Sequence, residues 1–412
     1  MTPFQIIALI VTLSAADAYT NARYIKLPAT IGVMVFALAL SLAMLAGGKF
    51  GLLDFTAFRS LVEQINFSDV LFHGILSFLL LAGAMHINLQ DLRSVRWSVA
   101  VRASLGVLLA SFVTGTLFWY ASNLAGLQLP YIYALLFGTL ISPTDPIAVL
   151  SILKEAGVPK SIHTKIAAES LFNDGAGVVA FIIVLSVATS AAQPNLLDAA
   201  ELFLRQAFGG AALGIVCGWA VYRLLRTVDD YKVEVLLTLA LATGGYALAE
   251  ALDVSGPIFI VAAGLIIGDQ GREFGMSAQT KERLDSFWEL IDDVLNAALF
   301  ILIGLEIAVI SIHSQNVVLG LLAVSAVLIG RLVSIGLPLA AGSFFAKPDR
   351  GTIAVSVWGG LRGGLSVAMA LSLPPGPYKD IILPATYIVV LFSILVQGLT
   401  LKPALNWLLR LP

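Results

Sequence analysis

Apolar runs of about 17 to 25 residues, each long enough to cross a hydrocarbon layer of about 30 Å as a helix, follow one another along the whole chain with short polar connections between them. The pattern predicts spans near 4–20, 28–46, 69–86, 98–122, 130–153, 163–188, 203–224, 233–251, 256–270, 287–311, 317–341, 351–373 and 381–407. The expectation is an all-α polytopic membrane protein of about 13 transmembrane helices forming a single transmembrane domain. Its first repeat covers about 4–188, a linking helix about 203–224, and its second repeat about 233–407. The stretch "LLDFTAFRSLVEQINFSD" mixes apolar residues with Arg59, Glu63 and Asp69, the pattern of an interfacial amphipathic helix.

Composition agrees: 58% of the 412 residues are hydrophobic, 12% are charged, and the mean hydropathy is +0.93, far from the roughly half-apolar balance of soluble domains. A net charge of −2 gives no basic footprint for nucleic acid. The single cysteine, Cys217, excludes an intrachain disulfide, and one Cys with four His offers no zinc-type cluster. The N-terminal stretch lacks the basic region of a signal peptide and reads as the first span.

Lys and Arg near span ends mark the cytoplasmic side. Alternate connections carry Arg23/Lys26, Arg93/Arg96, Lys154/Lys160, Arg223/Arg226/Lys232, Arg272/Lys281/Arg283 and Lys347/Arg350, while the intervening loops "NLAGLQLP", "TSAAQPN", "LDVSGP" and "SIHSQN" carry none. Lys49, Arg59 and Lys379 are the exceptions. The alternation predicts an outside N-terminus and a cytoplasmic C-terminus, hence an odd number of spans.

Two spans are interrupted. In "LISPTDPIAVL", Pro143 and Pro146 bracket Thr144 and Asp145, and each proline removes a backbone donor and clashes with the preceding turn. In "VWGGLRGGLSV", four glycines surround Arg362. Broken backbone survives at membrane depth only inside protein or beside a wet cavity. Asp145 and Arg362 lie about 217 residues apart, and each falls in the fifth span of a six-span set, with one odd span between the sets. That is the signature of inverted repeats whose substrate site lies where discontinuous helices cross. Proline and glycine are commoner in membrane helices generally, but these breaks also carry charge.

The sixth span contains "AAESLFNDGAGVV". Ser170 and Asp174 are spaced i and i+4 on one face, and Glu169 and Asn173 form a second such pair on the adjoining face. A hydroxyl and a carboxylate projecting together are hard oxygen ligands suited to a small alkali cation rather than a transition metal. A buried carboxylate without a partner takes up a proton. One carboxylate that holds either a proton or a cation therefore enforces exchange between them. Glu169 and Arg362 each supply the charge the other lacks, so a Glu169–Arg362 ion pair between the repeats is expected, leaving Asp174 for function.

"ESLFNDG", the "SPTDP" break, "FWELIDDVLNAALFILIGLE" and "WGGLRGGLSVAMALSLP", occurring in this order, resemble the monovalent cation/proton antiporters of the sodium/proton exchanger type, the NhaP/NHE-like branch. The likeness runs from about the third span to the last. It implies a secondary active antiporter, not an enzyme, exchanging Na+ or Li+ for H+ by alternating access in the cell (inner) membrane, with no cofactor. It implies that Asp174 binds cation and proton in turn. Thr144, through its backbone carbonyl, Ser170, and Asp145, directly or through water, would complete the cation shell. Asn173 stands where electrogenic relatives have an aspartate, which points to electroneutral one-for-one exchange. Glu169 and Arg362 would form the structural pair. The fold implied has a dimerisation domain and a six-helix core domain, in a homodimer embedded in lipid. One departure is Ala82 or its neighbour, where many relatives carry a third-span glutamate.

Among the other charges, Glu306 and Arg331 are expected to pair with each other. Glu289, Asp292 and Asp293 are expected as an interfacial cluster at the end of the tenth span, with an acidic cation entrance as the alternative. His73, His86 and His163 read as interfacial residues rather than pH sensors. Glu250 and Asp253 are expected to flank a short loop. Rival functions are K+/H+ antiport on the same scaffold, a passive channel, which the two-break symmetry disfavours, and an intramembrane aspartyl protease using Asp145 and Asp174. The Gly-x-Gly-Asp context of such a protease is absent.

Overall fold

The computed structural model describes residues 3–50, 59, 67–87, 89, 92, 99–145, 149–150, 160–189, 196–271, 277–307, 310, 314–341 and 356–409. The described chain is helical throughout: α1 Pro3–Thr20, α2 Ala29–Lys49, α3 Phe67–Met85, α4 Val99–Leu124, α5 Tyr131–Leu140, α6 Lys160–Thr189, α7 Ala200–Leu225, α8 Tyr231–Ala251, α9 Gly256–Ile266, α10 Ala278–Ile307, α11 Ser314–Ala341, α12 Gly364–Leu371 and α13 Pro377–Ala404. Eight of these are long and apolar enough to cross a membrane by length and composition. Most of the expected amphipathic segment, Pro146, and the basic residues Arg93, Arg96, Lys154, Arg272, Lys347 and Arg350 lie outside the described residues.

Both expected breaks are present. α5 stops at Leu140, and residues 142–145 are non-helical because Ser142 and Asp145 each precede a proline, whose ring disfavours the helical conformation of the residue before it. In the second break, residues 356–358 are helical, 360–363 are not, and α12 restarts at Gly364. The two non-helical stretches cross and are joined: the Asp145 amide donates to the Leu361 carbonyl at 2.8 Å. Each break thereby satisfies part of the backbone exposed by the other, the condition for irregular chain at membrane depth.

The tightest packing falls into two sets. α4, α5, α6, α11, α12 and α13 pack on one another, while α2, α3, α7, α9 and α10 form a second group with α1 against α10. α10 begins at Ala278, well before the expected 287, so the acids placed near its start lie three turns or more inside it.

Within the second set, α7 meets α9 through Gly210, Gly214 and Gly218, spaced at four residues on one face. A methyl group on Gly210 would lie 2.7 Å from the Ser255 carbonyl oxygen, and one on Gly218 would lie 2.8 Å from the Ala263 Cα. At Gly214 it would meet the Phe259 carbonyl oxygen and lie 2.9 Å from the Ala262 Cβ. Small residues at this spacing let helix backbones approach in lipid, where packing rather than hydrophobic exclusion drives association. Gly214→Val is expected to destabilise the protein by about 1–3 kcal/mol through overpacking, read as a lower melting temperature in detergent by fluorescence-detected size exclusion.

Candidate ion-binding site

The site is built where the crossed breaks face the middle of α6. Thr144, on the first break, and Ser170, on α6, share a hydrogen bond between their hydroxyls at 2.9 Å, and both are buried. The Asn173 amide nitrogen approaches the Thr144 hydroxyl at 3.5 Å. Asp174 lies within electrostatic range of Asp145 and Arg362. Thr144, Asp145 and Asp174 line one cavity of about 490 Å³, while Ser170 is outside its lining and hydrogen-bonded to Thr144. The structure thus brings together Asp174, Ser170, Thr144, Asp145 and Asn173. These oxygens suit a hard monovalent cation, and among the described residues no cluster of His, Cys, Asp and Glu is arranged to hold a resident metal.

The expected Glu169–Arg362 pair is not formed. Glu169 instead bridges two guanidiniums, with Arg331 Nη2 at 2.7 Å from Oε1 and Arg102 Nη1 at 2.9 Å from Oε2. Arg362 serves a different purpose: its Nη1 donates to the carbonyls of Ser142 and, at 2.8 Å, of Pro143, where α5 has come undone. Its backbone amide donates to the Ser393 hydroxyl at 2.8 Å. A cation belongs at a helix C-terminus, where carbonyls lack intrahelical partners. The break consumes Arg362, and Glu169, one turn away from Asn173 on α6, is left to the bases on α4 and α11. α6 and α11 are thereby tied together through Arg331.

The same geometry corrects the expected Glu306–Arg331 pair. Arg331 also donates from Nε to the Ser356 carbonyl at 3.3 Å, and Glu306 lies within electrostatic range of Lys379 instead. Arg102 was not singled out from the sequence, although a lone base inside an apolar run was a visible signal. Ala82 lines the cavity but brings no ligand to it.

Glu289, Asp292 and Asp293 line the same cavity as Asp174 and give it an acidic wall. His86 lines it too, its Nδ1 2.7 Å from the Ala82 carbonyl oxygen, whereas His73 sits apart and exposed, 3.3 Å from Glu250. The His163 side chain lies outside the described residues. Asp253 takes a left-handed conformation, φ 54°, in the loop between α8 and α9.

Crossed broken helices, a largely apolar cavity that reaches a buried carboxylate, and a buried cluster of paired ions define a polytopic secondary transporter of ions. The sodium/hydrogen exchanger transmembrane family model matches residues 6–407, and the chain belongs to that family. It is 48% identical over 405 residues to the Na(+)/H(+) antiporter NhaP of Pseudomonas aeruginosa, covering 97% of this chain and 95% of that one. It is 36% identical over 390 residues to the Na(+)/H(+) antiporter NhaH of Halobacillus dabanensis, covering 93% of each. Its fold matches that of the sodium proton antiporter MjNhaP1 from Methanocaldococcus jannaschii with a TM-score of 0.77 at 18% identity, over 100% of this chain and 99% of that one.

Proposed function

We propose that the protein exchanges Na+, or Li+, for H+ across the cell membrane, one for one, with the two ions competing for Asp174. The observation that carries this reading is the cavity that reaches Asp174 beside the Thr144–Ser170 hydroxyl pair, at the crossing of the two broken chains. Thr144, Ser170, Asp145 and Asp174 supply the oxygens for the cation, and Asn173 orients Thr144. The names of the relatives point to sodium as the cation.

Charge balance supports electroneutrality. Asn173 stands beside Asp174 as a neutral amide, so Asp174 is the one acid of that pair for Na+ and H+ to share. A bound Na+ and a bound H+ then leave the site with the same charge, so neither half of the cycle moves net charge relative to the other. The wall carrying His86, Glu289 and Asp292 belongs to the C-terminal end of α3 and the N-terminal half of α10, which the positive-inside rule assigns to the cytoplasmic side. The cavity is then the cytoplasmic approach, the N-terminus is outside and the C-terminus inside. The set α4, α5, α6, α11, α12 and α13 moves as the six-helix core against the second set, which pairs the subunits of a homodimer.

The test is pH-jump transport in proteoliposomes with sodium, lithium and potassium compared side by side. Sodium and lithium are expected to dissipate the pH gradient and to be insensitive to an imposed membrane potential. Exchange by potassium alone, or no exchange, overturns the reading. Asn173→Asp is expected to keep sodium transport, since the side chain keeps its size and the Thr144 hydroxyl can donate to a carboxylate where it now accepts from the amide, with some loss of thermal stability from an added buried acid.

A further inference from the structure

We propose that His86, at the end of α3, is a proton-operated electrostatic valve on the cavity: neutral, it leaves the acidic wall free to draw cations in, and protonated, it holds them off. The inference rests on the antiport reading above and adds a pH control at the cytoplasmic entrance. The charges of the lining carry it. Asp145, Asp174, Glu289, Asp292 and Asp293 all line the cavity, and His86 is the one side chain among its described lining residues that can become a cation. A cleft lined by charge of one sign concentrates counter-ions, and an opposing charge at its entrance weakens that pull.

Hydrogen bonding fixes the ring. His86 Nδ1 lies 2.7 Å from the Ala82 carbonyl oxygen, which can only accept, so Nδ1 carries the hydrogen and Nε2 is the basic position. Nε2 lies across the ring from this bond and therefore points away from the α3 backbone, on an exposed residue. Protonation adds a hydrogen at Nε2 and leaves the Nδ1 bond intact, so the charge changes while the side chain stays in place. Imidazole is the side chain that exchanges a proton near neutral pH, the range over which a cytoplasm varies.

Position puts the imidazole ahead of the site. A methyl on Gly83 would lie 3.7 Å from the Leu171 Cδ1, so α3 meets α6 at that level. His86 lies one turn nearer the cytoplasmic end of α3, and Asp174 one turn further into α6, which runs the opposite way, so the two differ in depth by about 9 Å. A cation entering from the cytoplasm passes His86 before it reaches Asp174. The other titratable groups around His86 are acids. Glu289, Asp292 and Asp293 come from α10, Asp174 from α6 and Asp145 from the first break. Asp269 lies just past α9, next to Gly268, where a methyl would lie 2.9 Å from the Met85 Cα. The part of α8 packed on α3, Leu241–Gly245, carries no charge.

The test is the KM for Na+ in everted membrane vesicles, whose medium bathes the cytoplasmic face, at about pH 6 and about pH 8.5, either side of the imidazole range. His86→Asn keeps a donor for the Ala82 carbonyl and stays neutral, while His86→Lys stays charged at both values. At alkaline pH His86→Lys is expected to raise the KM about three- to tenfold over the unsubstituted protein, the effect of one unit charge acting over about 10 Å in a medium between protein and water. At acid pH it should match the unsubstituted protein. His86→Asn should match it at alkaline pH and lower the KM by the same factor at acid pH. Competition between Na+ and H+ at Asp174 moves all three proteins alike, so the passage of the unsubstituted protein from the Asn value to the Lys value belongs to His86 alone. A merely structural role would displace each variant by the same factor at both pH values. Equal KM in the two variants, or an unsubstituted protein that does not pass from one to the other, overturns the valve and leaves the antiport reading intact. Absence of sodium/proton exchange in the unsubstituted protein overturns both. If one variant fails to fold, the gap between the other and the unsubstituted protein, present at one pH and absent at the other, decides.

Discussion

Asp174→Asn is expected to reduce sodium-driven proton movement to the level of protein-free liposomes, with the protein still folded. Asparagine matches aspartate in size, so Thr144, Ser170 and the crossed breaks have no steric reason to move. What it cannot do is carry a negative charge or bind a proton in exchange for a cation. The melting temperature should stay level or rise, because a neutral amide costs less to bury than a carboxylate whose counter-ion comes and goes. Lost transport with an intact thermal transition separates this outcome from unfolding. Asp145→Asn should be milder, reducing sodium affinity without abolishing exchange, because in the proposed mechanism Asp145 supports the cation and Asp174 exchanges the proton. Retained exchange in Asp174→Asn would refute the assignment of the exchanging carboxylate.

The parts of this site that could be read from the sequence are those fixed by local rules. Prolines on both sides of Thr144 and Asp145, and glycines around Arg362, break a helix wherever they occur, and the structure breaks at both places. Ser170 and Asp174 share a face because they are four residues apart in one helix. What could not be read was the choice of long-range partners. Glu169 meets Arg331, 162 positions away, rather than Arg362, and nothing in the spacing of either distinguishes the two bases. The carbonyls freed by the α5 break decided it, since they needed the Arg362 guanidinium, and their demand is visible only once the two breaks are seen to cross. Hydropathy marks only the apolar part of α10, from 287, for a related reason: its first turns carry Lys281, Glu282, Arg283 and Asp285, which depress the apolar average, and the helix itself starts nine residues earlier, at Ala278.

Glu169→Ala is expected to cost about 3–5 kcal/mol of stability, the range for breaking a buried ion pair by removing one partner, because it leaves two guanidiniums facing each other without the carboxylate between them. Arg102 has no spare compensation, its Nη2 being already without a partner among the described residues. The measurement is thermal unfolding in detergent, where loss of a folded peak on expression would be the extreme form of the same result. Arg362→Ala should behave differently: it strips the carbonyls of Ser142 and Pro143 of their donor, so exchange should fall more than stability does, and Glu169 should be untouched. A double-mutant cycle makes the distinction quantitative. Glu169→Gln combined with Arg331→Met should be less harmful than the sum of the single changes, because the pair is removed together and one like-charge contact with Arg102 disappears. Glu169→Gln combined with Arg362→Met should be near additive. Coupling of Glu169 to Arg362 and not to Arg331 would show that the acid links the repeats through the broken helix itself, and that the bridge through α11 is wrong.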